Sequence, residues 1–297
     1  MKIMECMRRE HMICLIVLNY NDFRTTEEFV NRIKSYNQID SIVIVDNNST
    51  DNSYEELSKL SNKKIDVIRT DSNKGYASGN NFGACYALKK YQPEYLIISN
   101  PDVIFSSDVV DYLSDYLKYH KEVGAASCKM ICTSGIDLPV AWKLPTFIDC
   151  LMENLIILRK ILGNRLLYNS EELQNSETYV DVLPGSFFMI KSSVFEQVNG
   201  FDNQTFLYYE ENILAKRLKD INSKCVLLSD KSYIHNHSVS INKSISSVKK
   251  RLDIAFRSRQ YYCKEYLGCN FLELLVHKIT YKIGLFDYLL ASMIIKK

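Results

Sequence analysis

Apolar and polar positions alternate between two periods over the first hundred residues. Met12 to Leu18 is a continuous apolar run, long enough for a strand buried on both faces, and Ile42 to Val45, Ile65 to Ile68 and Tyr95 to Ile98 repeat it. Between these runs Phe29, Val30, Ile33 and Tyr36 recur at helical spacing. Asp51 to Leu60 predicts a second helix, with Asp51 or Ser53 as N-cap and Glu56 closing a capping box after Ser53. Asn80 to Tyr91 predicts a third. Strands alternating with helices predict an α/β fold with a mostly parallel, Rossmann-like central sheet flanked by helices. The second half is less regular. It reads as a helix at Val109–Leu117, a strand at Ala125–Ile131, an apolar helix at Phe147–Leu162 within a variable stretch from Gly135 to Thr178, and strand-like chain at Val180–Ile190. A helix at Asn212–Ile221 and a strand at Cys225–Leu228 follow, then helical, basic and aromatic sequence after Ser246.

In such sheets ligands bind outside the carboxyl ends of the strands. Each of the four runs ends in a polar cluster: Asn19-Tyr20-Asn21, Asp46-Asn47-Asn48-Ser49, Asp71-Ser72-Asn73-Lys74-Gly75 and Asn100-Pro101-Asp102. Four such clusters on one rim predict a binding crevice. A nucleotide suits it, yet no GxGxxG follows the first strand and no GxxxxGK[ST] occurs, which disfavours a dinucleotide oxidoreductase or a P-loop enzyme. A diphosphate bound here needs another partner. Mg²⁺ is commonly held by one or two carboxylates plus phosphate oxygens, and Asp102, in a turn shaped by Pro101, fits that task.

Charge refines the picture. The chain carries +2 overall, but residues 241–297 hold 11 basic and 4 acidic residues. An acidic body with a basic tail suggests a tail that meets an anionic surface. Nucleic acid is a poor partner for an acidic body. Nine scattered cysteines without a CxxC pair read as thiols in a reducing cytosol rather than disulfides or a zinc site. No apolar run approaches the ~20 residues of a spanning helix, and no secretory leader is visible at the N-terminus.

Taken in order, these segments resemble a known family. Val17-Leu18-Asn19-Tyr20-Asn21 and Val45-Asp46-Asn47-Asn48-Ser49-Thr50-Asp51 look like the opening of the family 2 glycosyltransferases, and Asn73 to Gly83 resembles their next motif in its rhamnosyltransferase-like form. Asn100-Pro101-Asp102 resembles their metal-binding element, and Leu183 to Ile190 their acceptor-side strand. Gly200-Phe201-Asp202 with Phe206 to Glu211 is similar to the segment bearing the catalytic base, and His235 to Ser240 to the late histidine motif. The resemblance spans about residues 12–240.

It implies a GT-A fold and inverting transfer from a dTDP- or UDP-sugar to a lipid-linked saccharide or polysaccharide, rhamnose being the leading sugar. Asp46 should face the base, with Asn19, Asn21, Asn48, Asp71, Asn73, Lys74, Gly75, Asn80 and Asn100 around the nucleotide. Asp102, with His235, should hold Mg²⁺ or Mn²⁺. Glu211, or its neighbour Glu210, should be the general base. Gly185, Ser186, Trp142 and His237 should face the acceptor or sugar. Plainer readings stand beside these: an exposed helix-start pair for the glutamates, packing or surface roles for Trp142 and the histidines, and a solvated turn for Lys74. The sequence departs from the pattern at Asn100, where many members carry Asp, at Glu211, where Asp is usual, and at Ile213, where an acid is frequent. The expected organisation is a nucleotide-sugar half (1–102), an acceptor and catalytic half (103–240) and a basic amphipathic helical tail (241–297). The tail either packs on the body or touches the inner face of the plasma membrane. A homodimer, a catalytically silent scaffold and a nucleotidyltransferase are left open.

Overall fold

The computed structural model describes residues 11–133, 140–168, 171–173, 175–236 and 247–295. Strands β1 (Ile13–Asn19), β2 (Ser41–Asp46), β3 (Ile65–Arg69) and β4 (Tyr95–Ser99) lie parallel in the order β3-β2-β1-β4. Helices α1 (Phe23–Ile33), α2 (Ser53–Ser58) and α3 (Tyr76–Tyr91) connect them. The apolar runs are continuous because both faces are covered. Ile13, Leu15 and Val17 pack with α1 and α2, while Cys14 and Ile16 pack under α3.

Beyond β4 come β5 (Val103–Ile104), α4 (Ser107–Tyr119), β6 (Val123–Cys132), α5 (Phe147–Asn154), α6 (Ile156–Leu162) and β7 (Glu177–Val180). Then follow β8 (Phe187–Lys191), α7 (Ser192–Gln197), α8 (Glu210–Asp220) and β9 (Lys224–His235). They continue the same sheet in the order β4-β8-β6-β9-β5, with β7 also on β9. Here directions mix: β8 is antiparallel to β4 and β6, and β9 is parallel to β6. Among the described residues no disulfide joins the cysteines.

Four local expectations are corrected. Helix α2 has Asn52 at its N-cap and no capping box, because the Asp51 carboxylate accepts the Ser53 N–H at 3.0 Å instead. Helix α3 starts at Tyr76, ahead of Gly79. A Cβ at residue 79 would come within 2.4 Å of Leu18, so this glycine permits close helix–sheet packing rather than ending the helix. The apolar helix at 147–162 is two helices, broken at Leu155, whose ψ of 79° is not helical. Val180–Ile190 is not one strand. Pro184 lacks an N–H for the ladder, and β8 begins only at Phe187.

The C-terminal segment divides. Helix α9 (Val248–Glu265) is docked on the body: Tyr262 and Cys263 join Cys150, Tyr209 and Ile213 in a buried cluster. Helix α10 (Phe271–Ile295) lies over α5, close enough that a Cβ on Gly284 would reach 1.8 Å from the Asn154 carbonyl oxygen. No helix among the described residues is long and apolar enough to cross a membrane.

Candidate active site

The parallel registers place Asn19, Asp46 and Arg69 side by side at three strand ends. Asn19 is buried with its amide fully used. It donates to Asp46 (3.0 Å) and Ser49 (3.2 Å) and accepts from Thr26 (2.9 Å). Asp46 is wholly buried as well. Its oxygens accept from Asn19 and from the Ser49 N–H (3.1 Å), and Arg69 Nε lies 3.3 Å away. In this arrangement these two residues brace the rim at the position expected for the base. Arg69, Asn21, Asn48, Asp71, Asn73 and Lys74 are among the rim residues that reach the surface. Asn21 (φ 54°) and Asn48 (φ 57°) take left-handed turns, a conformation that asparagine tolerates. Asn47, part of the second cluster but given no role of its own, ties that cluster to the third by donating to Asn73 (3.1 Å) and to the Gly75 carbonyl (3.2 Å).

Gly75 joins the two halves of the site. Its φ is +98°, and any Cβ there would sit 2.0 Å from the Phe206 carbonyl oxygen. That carbonyl accepts the Tyr76 N–H at 2.9 Å, so the loop before α8 lies directly on the third rim loop. The Tyr76 hydroxyl donates to the Gly185 carbonyl (2.6 Å), and Asn100 N–H donates to the Ser186 carbonyl (2.8 Å). Gly185 and Ser186 are thereby placed at the end of the rim. Asn80 is buried and points its amide back to the Tyr76 carbonyl (3.0 Å), while its Oδ1 makes no hydrogen bond.

The short β5–β9 pairing brings Asp102 and His235 together, as expected of a shared cation site. Val103 pairs with His235, Asn236 N–H donates to the Asp102 carbonyl (3.0 Å), and His235 Nε2 lies 3.2 Å from Asp102 Oδ1. Both side chains are buried, and Asp102 Oδ1 accepts no hydrogen bond. A carboxylate oxygen with unused lone pairs beside an imidazole suits a divalent cation whose other ligands come from phosphate and water. No three His, Cys, Asp or Glu side chains converge on a metal position among the described residues. His237 lies outside the described residues.

Glu210 and Glu211 open α8 after two tyrosines in the left-handed region, Tyr208 and Tyr209, both at φ 69°. Such conformations cost roughly 1–3 kcal/mol each and persist only where neighbours enforce them. Here α9 does so: Ser258 donates to the Leu207 carbonyl (2.9 Å), and the Arg259 guanidinium donates to the Tyr209 hydroxyl (3.2 Å) and pairs with Glu153 (3.0 Å). The segment expected as a tail is thus part of the site's scaffold. Glu210 is buried with Oε2 unbonded. Glu211 is partly exposed and pressed against Gly185, where a Cβ would meet its carboxylate at 2.8 Å. Its other side borders a cavity of about 20 Å³, room for one water, walled by Leu183, Phe188 and Phe201. Trp142 stands behind this helix start and donates to Asn212 (2.6 Å), so it packs and positions.

Burial pushes the Glu210 carboxyl well above the usual range, and the charge of Glu211 adds to this. Burial also raises Glu211, opposed by backbone hydrogen bonding at Glu211 itself and at Gly185. At Glu210 the helix N-terminus favours the anion by up to ~2 kcal/mol, while full burial shifts a carboxyl by up to ~3–5 pKa units, so burial prevails. Tyr76 adjoins the glutamate pair through Gly185, which accepts its hydroxyl and is pressed by Glu211. Burial raises its hydroxyl far above the ordinary value, with Glu211, Glu210 and Asp102 all adding to the rise. The charges of Asp102 and of the glutamate pair therefore converge on this hydroxyl, and Glu211 reaches it through Gly185. The sequence contained the clue, since Tyr76 lies inside the glycine-rich third motif, but nothing in its spacing shows that convergence.

Because the folded-state pKa of Glu210 is raised, its protonated form favours the fold. That contribution is complete below the unfolded pKa and is lost as pH rises through the folded one. Glu210→Gln should accordingly raise the melting temperature at pH 8 by roughly 2–4 °C per kcal/mol recovered, and leave it nearly unchanged at pH 4. Thermal unfolding at the two pH values checks this.

Similarity to known proteins agrees with this geometry. The family model described as glycosyl transferase family 2 matches residues 14–198. The low-salt glycan biosynthesis hexosyltransferase Agl10 of Haloferax volcanii is 27% identical over 247 residues, covering 83% of this chain and 74% of that one. The N-acetylglucosaminyl-diphospho-decaprenol L-rhamnosyltransferase of Mycobacterium tuberculosis is 25% identical over 221 residues, 70% of each chain. The mannosyltransferase PcManGT from Pyrobaculum calidifontis, solved with GDP-Man and Mn²⁺, superposes with a TM-score of 0.58 at 13% identity, over 95% of this chain and 75% of that one. The fold is GT-A, and with a matching sequence model across most of it the chain belongs to glycosyltransferase family 2, on its rhamnosyltransferase-like side.

Proposed function

We propose that this glycosyltransferase moves a sugar from a dTDP- or UDP-linked donor, with inversion, onto a lipid-linked saccharide or polysaccharide acceptor in surface-glycan assembly, and that it works at the cytoplasmic face. One observation carries the reading: Tyr76, on the third rim loop, donates to the Gly185 carbonyl, and Glu211 presses on that same glycine, so a rim suited to a nucleoside diphosphate adjoins a candidate base. The names of the Haloferax and Mycobacterium relatives favour hexosyl or rhamnosyl transfer and a polyprenyl-diphosphate acceptor. Family membership sets the nucleotidyltransferase reading aside.

In this mechanism Asn21, Asn48, Arg69, Asp71, Asn73 and Lys74 receive the nucleoside. Asp102 and His235 would hold Mg²⁺ or Mn²⁺, with Asn100 beside them; the cation supplies charge neutralisation for the departing diphosphate. Gly185 and Ser186 shape the floor under the sugar. Glu211 takes the proton of the acceptor hydroxyl on the face opposite the leaving group. Its raised pKa suits proton acceptance near neutral pH.

Calorimetric titration of the full chain with dTDP-rhamnose, UDP-glucose, dTDP and UDP in the presence of Mn²⁺ tests the donor assignment. At least one nucleoside diphosphate should bind, and EDTA should weaken it. Absence of heat with all four ligands would overturn the assignment.

A further inference from the structure

Helix α10 is built inside out. The face it turns to α5 carries polar groups. His277 is fully buried, Asn154 donates to the His277 carbonyl (3.1 Å) and to Thr280 (3.0 Å), and the Tyr281 hydroxyl bonds Asp253. Gly284 supplies the close approach on the same face. Burial holds the His277 imidazole down at about 4, so this face is neutral there at pH 7. At 100° per residue, His277, Thr280, Tyr281 and Gly284 share one stripe, and Leu272, Leu275, Ile279 and Phe286 lie on the opposite one. Those four are exposed, Phe286 by 62%. Helix α6, packed against α10, adds Ile161 and Leu162, exposed by 73% and 61%.

Single exposed apolar residues are ordinary, but a stripe along a 25-residue helix joined by a second helix is not. The exposed charges around it are mostly basic. Lys278 and Lys282 flank the apolar stripe of α10 and are exposed, and Arg159 and Arg165 lie exposed in and just after α6. Of the acids of α10, Glu273 falls on the buried side of the helical wheel and Asp287 at the edge of the stripe opposite Lys278. No helix among the described residues crosses a bilayer. An apolar stripe with a mostly cationic border matches the interface of an anionic bilayer, where the apolar face sinks into the headgroup boundary.

We propose that α6 and α10 together form a surface that docks this protein on anionic membranes. The basic tail seen in the sequence is then two devices: α9 is fixed behind the glutamate loop, and α10 faces the lipid. Through the bonds of Asn154 to α10 and of Arg259 to Asn154 and Tyr209, the lipid-facing helix is tied to the turn that sets Glu210 and Glu211. The proposal stands apart from the donor reading, because membrane docking needs no nucleotide.

Flotation of the full chain with vesicles of 70% phosphatidylcholine and 30% phosphatidylglycerol, against pure phosphatidylcholine, tests it. The protein should float with the anionic vesicles and far less with the neutral ones. Ile279→Glu with Phe286→Glu should cut the bound fraction by on the order of tenfold or more, at exposed positions where the fold is not at stake. Lys278→Gln and Lys282→Gln should each cost about fivefold. Circular dichroism checks that the variants are folded. Failure of the wild type to float would overturn the proposal, as would a sedimenting dimer that the Glu variants dissociate without affecting flotation. Nucleotide titration in lipid-free buffer is read separately, so either assignment can fail alone.

Discussion

Replacing Glu211 by Gln should lower sugar transfer by about 10²–10⁴-fold while leaving nucleotide affinity unchanged. The size is that of a positioned general base removed from a proton transfer. The split between rate and affinity follows from geometry: Glu211 lies against Gly185, across Tyr76 from the rim that receives the nucleoside. Glu211→Asp should fall between wild type and Gln, since it keeps the carboxylate but shortens its reach by one methylene. The pH profile has a determined sign. Glu211 acts deprotonated, and burial raises its pKa above the ordinary 4.5. Transfer should therefore decline as pH falls through that raised value, with its acid limb at higher pH than a solvated glutamate would give, and the limb should vanish in the Gln variant. Steady-state rates from pH 5 to 9 decide the matter. Retention of full rate in Glu211→Gln, with loss in Glu210→Gln, would move the base one residue back. Wild-type protein that binds nucleotide and transfers nothing would instead favour the scaffold reading.

How much of this was legible beforehand depends on whether a contact is local. The four parallel strands and their polar ends could be read because burial on both faces writes uninterrupted apolar runs, and the rim lies at their ends by construction. The pairing of Asp102 with His235 could be anticipated only through the family pattern. It depends on a two-residue strand, Val103–Ile104, too short to mark the sequence. The roles of Asn19 and Asp46 were legible as position but not as exposure. Both lie at the rim, yet each spends its polar atoms on its neighbours. The support that α9 gives to Tyr208 and Tyr209 was invisible, because Ser258 and Arg259 stand about fifty residues away in a segment whose charge suggested a surface. Polarity alone cannot tell a basic residue that meets lipid from one buried against Glu153.

Asp102→Asn should abolish the benefit that Mn²⁺ gives to nucleoside diphosphate binding, at least tenfold in affinity, with a loss of transfer on the order of 10²-fold or more. The substitution keeps the shape of a buried side chain and removes its charge, so the fold should survive and thermal unfolding can confirm it. Without added cation, wild type and variant should bind the nucleotide alike, because the nucleoside contacts sit at the other strand ends. His235→Gln tests the shared site from the opposite side. If the two residues hold one cation, the double variant should be little worse than either single one, since side chains 3.2 Å apart that serve one ligand do not act additively. Additive losses would mean that Asp102 and His235 work independently. An unchanged dependence on Mn²⁺ in Asp102→Asn would remove the cation from this rim altogether, leaving Arg69 and Lys74 as exposed cationic side chains at and after the end of β3.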